Sequence, residues 1–94
     1  MGIRENKVET YLHEEVIKLG GHTEKWGTQG NADRVVFLQG IIYVVEIKTL
    51  DGTLTVLQKR KFPKIEKTGV KVHILVSYEE VDEFIGFLKG RVCF

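Results

Sequence analysis

The sequence predicts an α/β fold in which helices flank a mixed central β-sheet, with the elements in the order α-β-β-β-α-β-α. Apolar residues recur at helical spacing in residues 8–19 and 81–88. Three other segments, residues 34–38, 41–48 and 70–76, are rich in β-branched and aromatic residues, as strands are. Because a predicted helix separates the last two strands, we expect them to be parallel and joined by a right-handed crossover.

The composition indicates one soluble domain that occupies residues 1–94. Hydrophobic residues make up 43% of the chain and charged residues 29%, a globular balance rather than a disordered or membrane one. No apolar run approaches the roughly 18 residues that a membrane-spanning helix requires. The single cysteine, Cys93, has no intrachain disulfide partner, so we expect an intracellular protein.

The N-terminal part is predicted to form a helix, a short strand and a loop. Residues 4–19 carry one apolar face, and the glycine pair 20–21 is a strong helix stop because glycine adopts the left-handed cap conformation at little cost. Residues 22–26 are expected to form the short strand, and the polar, glycine-rich residues 27–31 form the loop.

A hairpin is predicted next. Strands 34–38 and 41–48 are joined by the dipeptide 39–40, a plausible two-residue turn because Gly40 tolerates positive φ. The second strand is apolar on both sides until Glu46, so we expect it to be a central strand covered on both faces.

Two further helices are predicted after the hairpin. Thr55 is a suitable N-cap for a helix that runs to about residue 68, and Pro63 is expected to kink or split it. Ser77 and Glu80 have the spacing of a capping box at the start of the last helix.

Three polar residues occupy positions that packing alone would not select. Asp33 opens an apolar strand, and Glu46 and Lys48 end the next one. Residues two apart on a strand point to the same side, so Glu46 and Lys48 project together. A hairpin brings the start of its first strand beside the end of its second, so we expect Asp33 close to this pair.

This residue set suits hydrolysis of a phosphodiester bond. Proteins hold Mg²⁺ with one or two carboxylates together with water and substrate phosphate. The metal lowers the pKa of a bound water and stabilises charge that develops on phosphorus, and a neighbouring lysine orients or helps to deprotonate that water. The alternative is a plain structural domain with a chance Glu-x-Lys triplet, because the triplet by itself is common.

The sequence contains three informative short segments: residues 30–34 (Gly-Asn-Ala-Asp-Arg), 45–48 (Val-Glu-Ile-Lys) and 57–59 (Leu-Gln-Lys). Together they resemble the VRR-NUC family, the virus-type replication-repair nucleases of the PD-(D/E)xK superfamily. The family has Gly-x-Pro-Asp before its first core strand, Glu-x-Lys at the end of the next strand, and a glutamine near the start of the following helix. The spacing is kept over residues 5 to about 84, while Ala32 replaces the usual proline. The resemblance implies a restriction-endonuclease-like fold.

The resemblance also implies a role for each matching residue. Asp33 and Glu46 are expected to bind Mg²⁺, for which Mn²⁺ substitutes, and the backbone carbonyl of Ile47 is expected to be a further ligand. Lys48 would attend the nucleophilic water, and Gln58 would support the site from the helix. From its spacing alone, Gln58 also fits a buried amide that hydrogen-bonds to the backbone.

Family members often add a glutamate from the first helix to the metal site. Glu9, which flanks the apolar stripe of the predicted helix, is our candidate for this ligand. Glu5, one turn earlier, is the alternative, and a solvated surface position is the common fate of either residue.

Basic residues near these positions are candidates for contact with DNA. Lys25 precedes the glycine-rich loop, and Trp26 beside it favours a core position over base stacking. The run Lys59, Arg60 and Lys61 follows Gln58, so it would lie near the site and meet phosphates. From charge alone, a solvated helix face is the commoner explanation of such a run.

We therefore expect an Mg²⁺- or Mn²⁺-dependent deoxyribonuclease that acts as an endonuclease. The resemblance favours a homodimer that resolves branched DNA such as Holliday junctions, in DNA repair or a related process, and a phage or bacterial origin. The alternatives are a flap-type or nicking nuclease without junction preference, and a non-catalytic DNA-binding module. The histidines lack metal-ligand spacing, and no motif indicates an organic cofactor.

Overall fold

The computed structural model describes residues 5–27, 32–48 and 52–91. Most of the glycine-rich loop, residues 28–31, and the predicted free thiol of Cys93 lie outside the described residues. The elements are α1 (Glu5–Lys18), β1 (His22–Lys25), β2 (Arg34–Leu38), β3 (Ile41–Ile47), α2 (Val56–Glu66), β4 (Val72–Leu75) and α3 (Tyr78–Lys89).

Four strands form one sheet in the order β1-β2-β3-β4. The first three are antiparallel to their neighbours, whereas β3 and β4 are parallel. The mixed sheet and the element order predicted from the sequence are thus confirmed. Because α2 connects the two parallel strands, the chain can return to the same end of the sheet and start β4 beside β3.

Helices cover both faces of the sheet. On one face, α1 and α3 pack around strand residues such as Val36 and Val45, both of which are 0% exposed. On the other face, Phe62 of α2 packs with Val44 and Val72. The predicted apolar stripes of the first and last helices therefore point into the same core. None of the helices in the described part of the chain is long and apolar enough to cross a membrane.

A tight turn of two residues joins β2 to β3, as predicted. Gln39 has φ 49° and Gly40 has φ 80°, so both central residues are left-handed. Turns of this kind match the right-handed twist of the flanking strands. The turn sets a register in which Arg34, the first residue of β2, pairs with Val45 near the end of β3.

The prediction that β3 is covered on both faces over its whole length is wrong at its start. Ile41 and Ile42 are 43% and 57% exposed, and burial begins only with residues 43–47. The hairpin end of the sheet extends beyond the helices. Strand β4 is shorter than predicted for a related reason: it covers Val72–Leu75, and Val70 before it is 39% exposed.

Thr55 caps α2, as predicted, and its hydroxyl oxygen accepts a hydrogen bond from the N–H of Gln58. Of the two outcomes predicted for Pro63, a kink or a split, the split does not occur, since α2 runs unbroken over Val56–Glu66. A proline removes the hydrogen bond to the carbonyl one turn earlier. That carbonyl belongs to Lys59, an exposed residue, so water can replace the lost donor.

Two glutamates occupy the outer edge of β4, the last strand of the sheet. Glu66 Oε2 accepts a hydrogen bond from the N–H of Val72, and Glu80 Oε1 accepts one from the N–H of Val76, each at 3.1 Å. Acceptors on an edge strand limit pairing with another chain.

The predicted capping box at the start of α3 is only half formed. The hydroxyl of Ser77 accepts a hydrogen bond from the N–H of Glu80, but the Glu80 side chain binds the N–H of Val76 instead of returning to Ser77.

Replacing Glu80 with alanine is expected to lower the free energy of unfolding by about 1–2 kcal/mol, because the N–H of Val76 loses its acceptor. The Glu80→Gln variant keeps an acceptor oxygen and is expected to lose clearly less. Urea denaturation monitored by circular dichroism measures both. Equal losses in the two variants would mean that this hydrogen bond does not stabilise the edge.

His73 of β4 is half-buried against α3, with its ring centroid 4.9 Å from that of Phe84. Burial lowers the pKa of His73, and the charges of Lys71 and Arg91 lower it further while Glu66 opposes them. The folded protein therefore binds this proton less readily than the unfolded chain does. As the pH falls through the unfolded value of 6.5, stability is lost, until the loss levels off below the lowered folded pKa.

A His73→Phe variant, which keeps an aromatic ring in the cluster, is expected to lose less stability between pH 7 and pH 5 than the natural chain. The comparison requires urea unfolding curves at several pH values for both proteins. Parallel curves would show that His73 does not contribute to the acid sensitivity.

Candidate active site

The predicted catalytic residues meet at one end of the sheet, on the face that α2 covers. Along β3, Glu46 points toward α2 and contacts Gln58, while Val45 and Ile47 pack into the core beneath α1 and α3. Asp33 comes directly before β2, and the hairpin register puts it beside Glu46. The alternation of side chains along a strand therefore separates the polar site from the apolar core.

Glu46 is the most buried charged residue of the site, at 1% exposure. Its Oε2 accepts a hydrogen bond of 2.8 Å from Gln58 Nε2 and lies 3.1 Å from Lys48 Nζ. Its Oε1 is buried and has no hydrogen-bond partner in the described part of the protein. One oxygen of the carboxylate is thus held by two donors, and the other is left for a ligand.

The pKa of Glu46 is raised above its usual value. Burial is the largest cause, and the neighbouring carboxylate of Asp33 adds to it. The hydrogen bonds from Lys48 and Gln58 act in the opposite direction without cancelling the increase. Burial and the neighbouring carboxylate both disfavour the charged form of Glu46, and a cation bound beside it would offset both effects.

Asp33 is fixed by the backbone of the neighbouring strand. Its Oδ2 accepts a hydrogen bond of 2.8 Å from the N–H of Ile47. Because the N–H and C=O of one strand residue point to the same side, the carbonyl of Ile47 faces the same edge of β3 as Asp33. The predicted ligands Asp33, Glu46 and Ile47 thus converge on one end of β3.

Gln58 connects the site to the start of α2. Its Oε1 accepts from the N–H of Thr55 at 3.0 Å, and its own N–H donates to the hydroxyl of Thr55 at 3.1 Å, which makes a complete capping box. Because Oε1 is engaged by an N–H donor, the NH₂ group of Gln58 must face Glu46. The alternative of a buried glutamine bound to backbone alone is incomplete, since this side chain contacts both the backbone and a carboxylate.

Lys48 follows the last residue of β3 and is anchored by its backbone. Its N–H donates to the carbonyl of Leu75 at 3.0 Å. Its side chain is 14% exposed and ends beside Glu46 Oε2. The ammonium group is therefore held at the rim of the site, with a path to solvent.

The donors present fit Mg²⁺ or Mn²⁺, which prefer oxygen ligands. The described residues contain no group of three or more His, Cys, Asp and Glu side chains that could hold a metal ion on its own. Two carboxylates, one with a free buried oxygen, match a metal that takes its remaining ligands from water and substrate. A closed structural zinc site of four side chains is a different arrangement.

Glu9, the predicted first-helix ligand, lies in an ion-pair cluster on the α1 face of the sheet. Its Oε1 is 3.2 Å from Arg34 Nε, and its Oε2 is 3.7 Å from Lys25 Nζ. Arg34 Nε and the Glu9 carboxylate thus form an ion pair, but their geometry does not make a hydrogen bond. The Glu46 carboxylate has different partners, Gln58 and Lys48. The side chain of the alternative ligand, Glu5, lies outside the described residues.

Sequence analysis missed the polar residues that extend this cluster. Thr23, which is 3% exposed, accepts a hydrogen bond of 3.0 Å from Arg34 Nη1, and its hydroxyl lies 2.5 Å from His13 Nδ1. The sequence did contain a signal for this cluster. Arg34 lies on the same face of β2 as the apolar residues Val36 and Leu38. A charged residue in that pattern indicates a buried ion pair.

The predicted DNA contacts divide into two groups. Lys25 is 71% exposed but paired with Glu9, whereas Lys59, Arg60 and Lys61 form no ion pair within the described part of the chain. The latter three lie on α2 directly after Gln58, and only Lys61 is half-buried. Trp26 packs beside the core beneath α2, in line with the core position favoured from the sequence.

Comparison with solved structures identifies a similar protein. A solved structure described as a VRR_NUC domain is similar to this chain, with 30% sequence identity and a TM-score of 0.79. The match covers 87% of this chain and 94% of that chain. No protein-family model and no curated protein matches the sequence. The family resemblance seen in three short segments is thereby confirmed across most of the fold, and the chain belongs to the VRR-NUC family of the PD-(D/E)xK superfamily.

Proposed function

We propose that this protein is a divalent-metal-dependent endonuclease that hydrolyses phosphodiester bonds in DNA. The observation that carries the proposal is the buried Oε1 of Glu46, which has no hydrogen-bond partner in the described structure and adjoins the carboxylate of Asp33. A buried acceptor of this kind is costly unless a ligand satisfies it. Membership of a family of nuclease domains supports the same conclusion.

Asp33, Glu46 and the carbonyl of Ile47 are the residues that would hold Mg²⁺, or Mn²⁺ in its place. When bound, the metal supplies Lewis acidity: it lowers the pKa of water and offsets negative charge on the phosphate. Glu9 is a further candidate ligand only if it leaves its ion pairs with Arg34 and Lys25. Gln58 and Lys48 act on the carboxylate, since both bind Oε2 of Glu46 and leave Oε1 free.

Lys48 is the residue that we assign to the nucleophilic water. Its ammonium group lies at the rim of the site, is partly exposed, and is oriented by its ion pair with Glu46. A positioned cation there stabilises charge that develops in the transition state and orients the attacking water. Its flexible stem lets it move from Glu46 toward the substrate phosphate.

Lys59, Arg60 and Lys61 are proposed to contact the DNA backbone, together with Lys25 on the other side of Asp33. Lys59 and Arg60 are exposed and follow Gln58 on the same helix, so their charge lies beside the site. Phosphate contacts of this kind position the substrate without reading its sequence. Specificity then depends on the shape of the DNA.

Branched DNA is the substrate we propose, with two copies of the chain acting as a homodimer. A two-fold dimer holds two active sites in one fixed relation, and a four-way junction offers two symmetric strands for cleavage. If four-way junctions, flaps and plain duplex were cut equally well, the result would instead favour a nuclease without junction preference.

Cleavage of a labelled four-way junction, compared with a matched linear duplex, tests the proposal. We expect cutting of the junction with Mg²⁺ or Mn²⁺ and none with chelator. Lys48→Ala is expected to lower the rate by roughly 10²–10³-fold, because a fixed transition-state charge is lost. Lys89→Ala, an exposed lysine on α3 outside the site, is the matched control and should cut normally.

If the protein binds DNA but cuts none of the substrates, a non-catalytic DNA-binding module becomes the favoured function. Equal cutting of both substrates would keep the nuclease and remove the junction preference. Cutting that survives the chelator would remove the role assigned to Asp33 and Glu46.

A comparison of variants at Gln58 and Thr55 distinguishes the role of Gln58 at the metal site from its role in capping α2. In Gln58→Glu the side chain can still accept from the N–H of Thr55, but it loses the donor to Glu46 and adds a third carboxylate. We expect the affinity for Mn²⁺, measured by isothermal titration calorimetry, to fall by about tenfold, because Glu46 loses the donor that orients it. Thr55→Ala should instead lower the free energy of unfolding by about 1 kcal/mol and leave Mn²⁺ affinity within about twofold.

The reverse pattern, with Mn²⁺ affinity sensitive to Thr55 and not to Gln58, would contradict the role that we give to this amide. Calorimetry reads the metal directly, so the result does not depend on whether cleavage is observed.

A further inference from the structure

The outer surface of α3 carries an acid, an aromatic ring and a base at equal spacing. Glu83, Phe87 and Arg91 follow one another at intervals of four residues, so they align along the helix and the turn after it. All three are exposed, Phe87 by 41%. The guanidinium carbon of Arg91 lies 4.8 Å from the centre of the Phe87 ring. We refer to these three residues as the α3 strip.

Phe87 forms a ridge between two hollows. One, of about 330 Å³, is bordered by Glu80 and Glu83 and has Ile74 in its lining. The other, of about 390 Å³, is bordered by Arg91 and contains the exposed side chain of Ile42. Lys71 and His73 line both hollows. What distinguishes the hollows is charge, since the two glutamates border only the first and Arg91 borders only the second.

Packing within the described structure does not require the glycine that lies next to the ridge. Gly86 is in the interior of α3, and a Cβ added there would meet no atom of the described structure within 4 Å. A glycine in a helix interior destabilises the helix by about 1 kcal/mol relative to alanine. Open space above such a residue lets a second helix approach closely.

We propose that the α3 strip is an interface between two copies of this chain, packed with their α3 helices antiparallel about a two-fold axis beside Phe87. In that arrangement Phe87 meets its counterpart, and Glu83 of each copy faces Arg91 of the other, because both lie four residues from Phe87. A two-fold interface requires a surface that is complementary to itself. The acid-bordered hollow then faces the base-bordered one.

Charge selects a second copy over nucleic acid as the occupant. The first half of α3 carries Glu79, Glu80, Asp82 and Glu83, which repel a phosphate backbone. Strand addition at β4 is also disfavoured, since Glu66 and Glu80 already occupy the N–H groups of Val72 and Val76. Helix packing through exposed side chains remains the interaction that this surface fits.

The interface would hold two active sites in a fixed relation. Ile74 of β4 pairs with Glu46 across the sheet, so the edge beside the strip is one strand away from the candidate site. In this respect the inference rests on the proposed nuclease function and supplies its second subunit. Its test measures mass rather than cleavage.

Sedimentation velocity over a range of concentrations tests the interface with charge reversals. We expect the natural chain to dimerise, and Glu83→Arg or Arg91→Glu alone to raise the dimer dissociation constant about tenfold or more, because like charges then face each other. The double variant exchanges the two charges and is expected to restore dimerisation to within about threefold. Glu14→Arg, an equal charge change on exposed α1, is the control and should have no effect.

A natural chain that stays monomeric at all concentrations would overturn the inference. So would a dimer that both single reversals leave intact, or a double variant that remains as weak as the singles. Circular dichroism spectra confirm that each variant folds. A monomer that cuts DNA would overturn the interface and the proposed homodimer but keep the nuclease. A dimer of this kind that cuts no DNA would keep the interface and overturn the nuclease.

Discussion

Burial of the Glu46 carboxylate beneath α2 costs free energy, because an ionised group that leaves water loses hydration worth several kcal/mol. Gln58 and Lys48 offset part of that cost through Oε2. Gln58 can do so only because its Oε1 is held by the N–H of Thr55, the N-cap residue of α2. The placement of a whole helix is thus coupled to the orientation of one carboxylate. The oxygen that has no donor within the described structure is the one that we propose to bind the metal.

The fold was predictable where one local pattern decided the structure. The turn at Gln39 and Gly40, the cap at Thr55 and the alternation that puts Glu46 opposite Val45 depend on residues close in sequence. Asp33 reached Glu46 because a two-residue turn fixes the hairpin register. Family resemblance added roles to these residues, and the structural match over 87% of the chain confirmed the family.

What the sequence did not predict depends on contacts between distant segments. The exposure of Ile41 and Ile42 follows from the length of the helices that cover the sheet, which strand composition does not encode. Glu80 had the spacing of a capping residue, yet the edge of β4 offered its side chain another donor. The ion pair of Glu9 with Arg34 depends on how α1 packs on the sheet, so the pattern of charges along either segment could not reveal it.

The same ion pairs change how the protein would respond to salt. Lysines that meet phosphates normally release mobile counterions into solution, and this release makes DNA affinity fall as salt rises. Lys25 instead has a counterion that belongs to its own chain, the carboxylate of Glu9. A phosphate that displaces Glu9 exchanges one fixed anion for another, so Lys25 adds little to the salt dependence. The exposed cations of α2 have no such internal partner within the described structure, and they would dominate the ionic response.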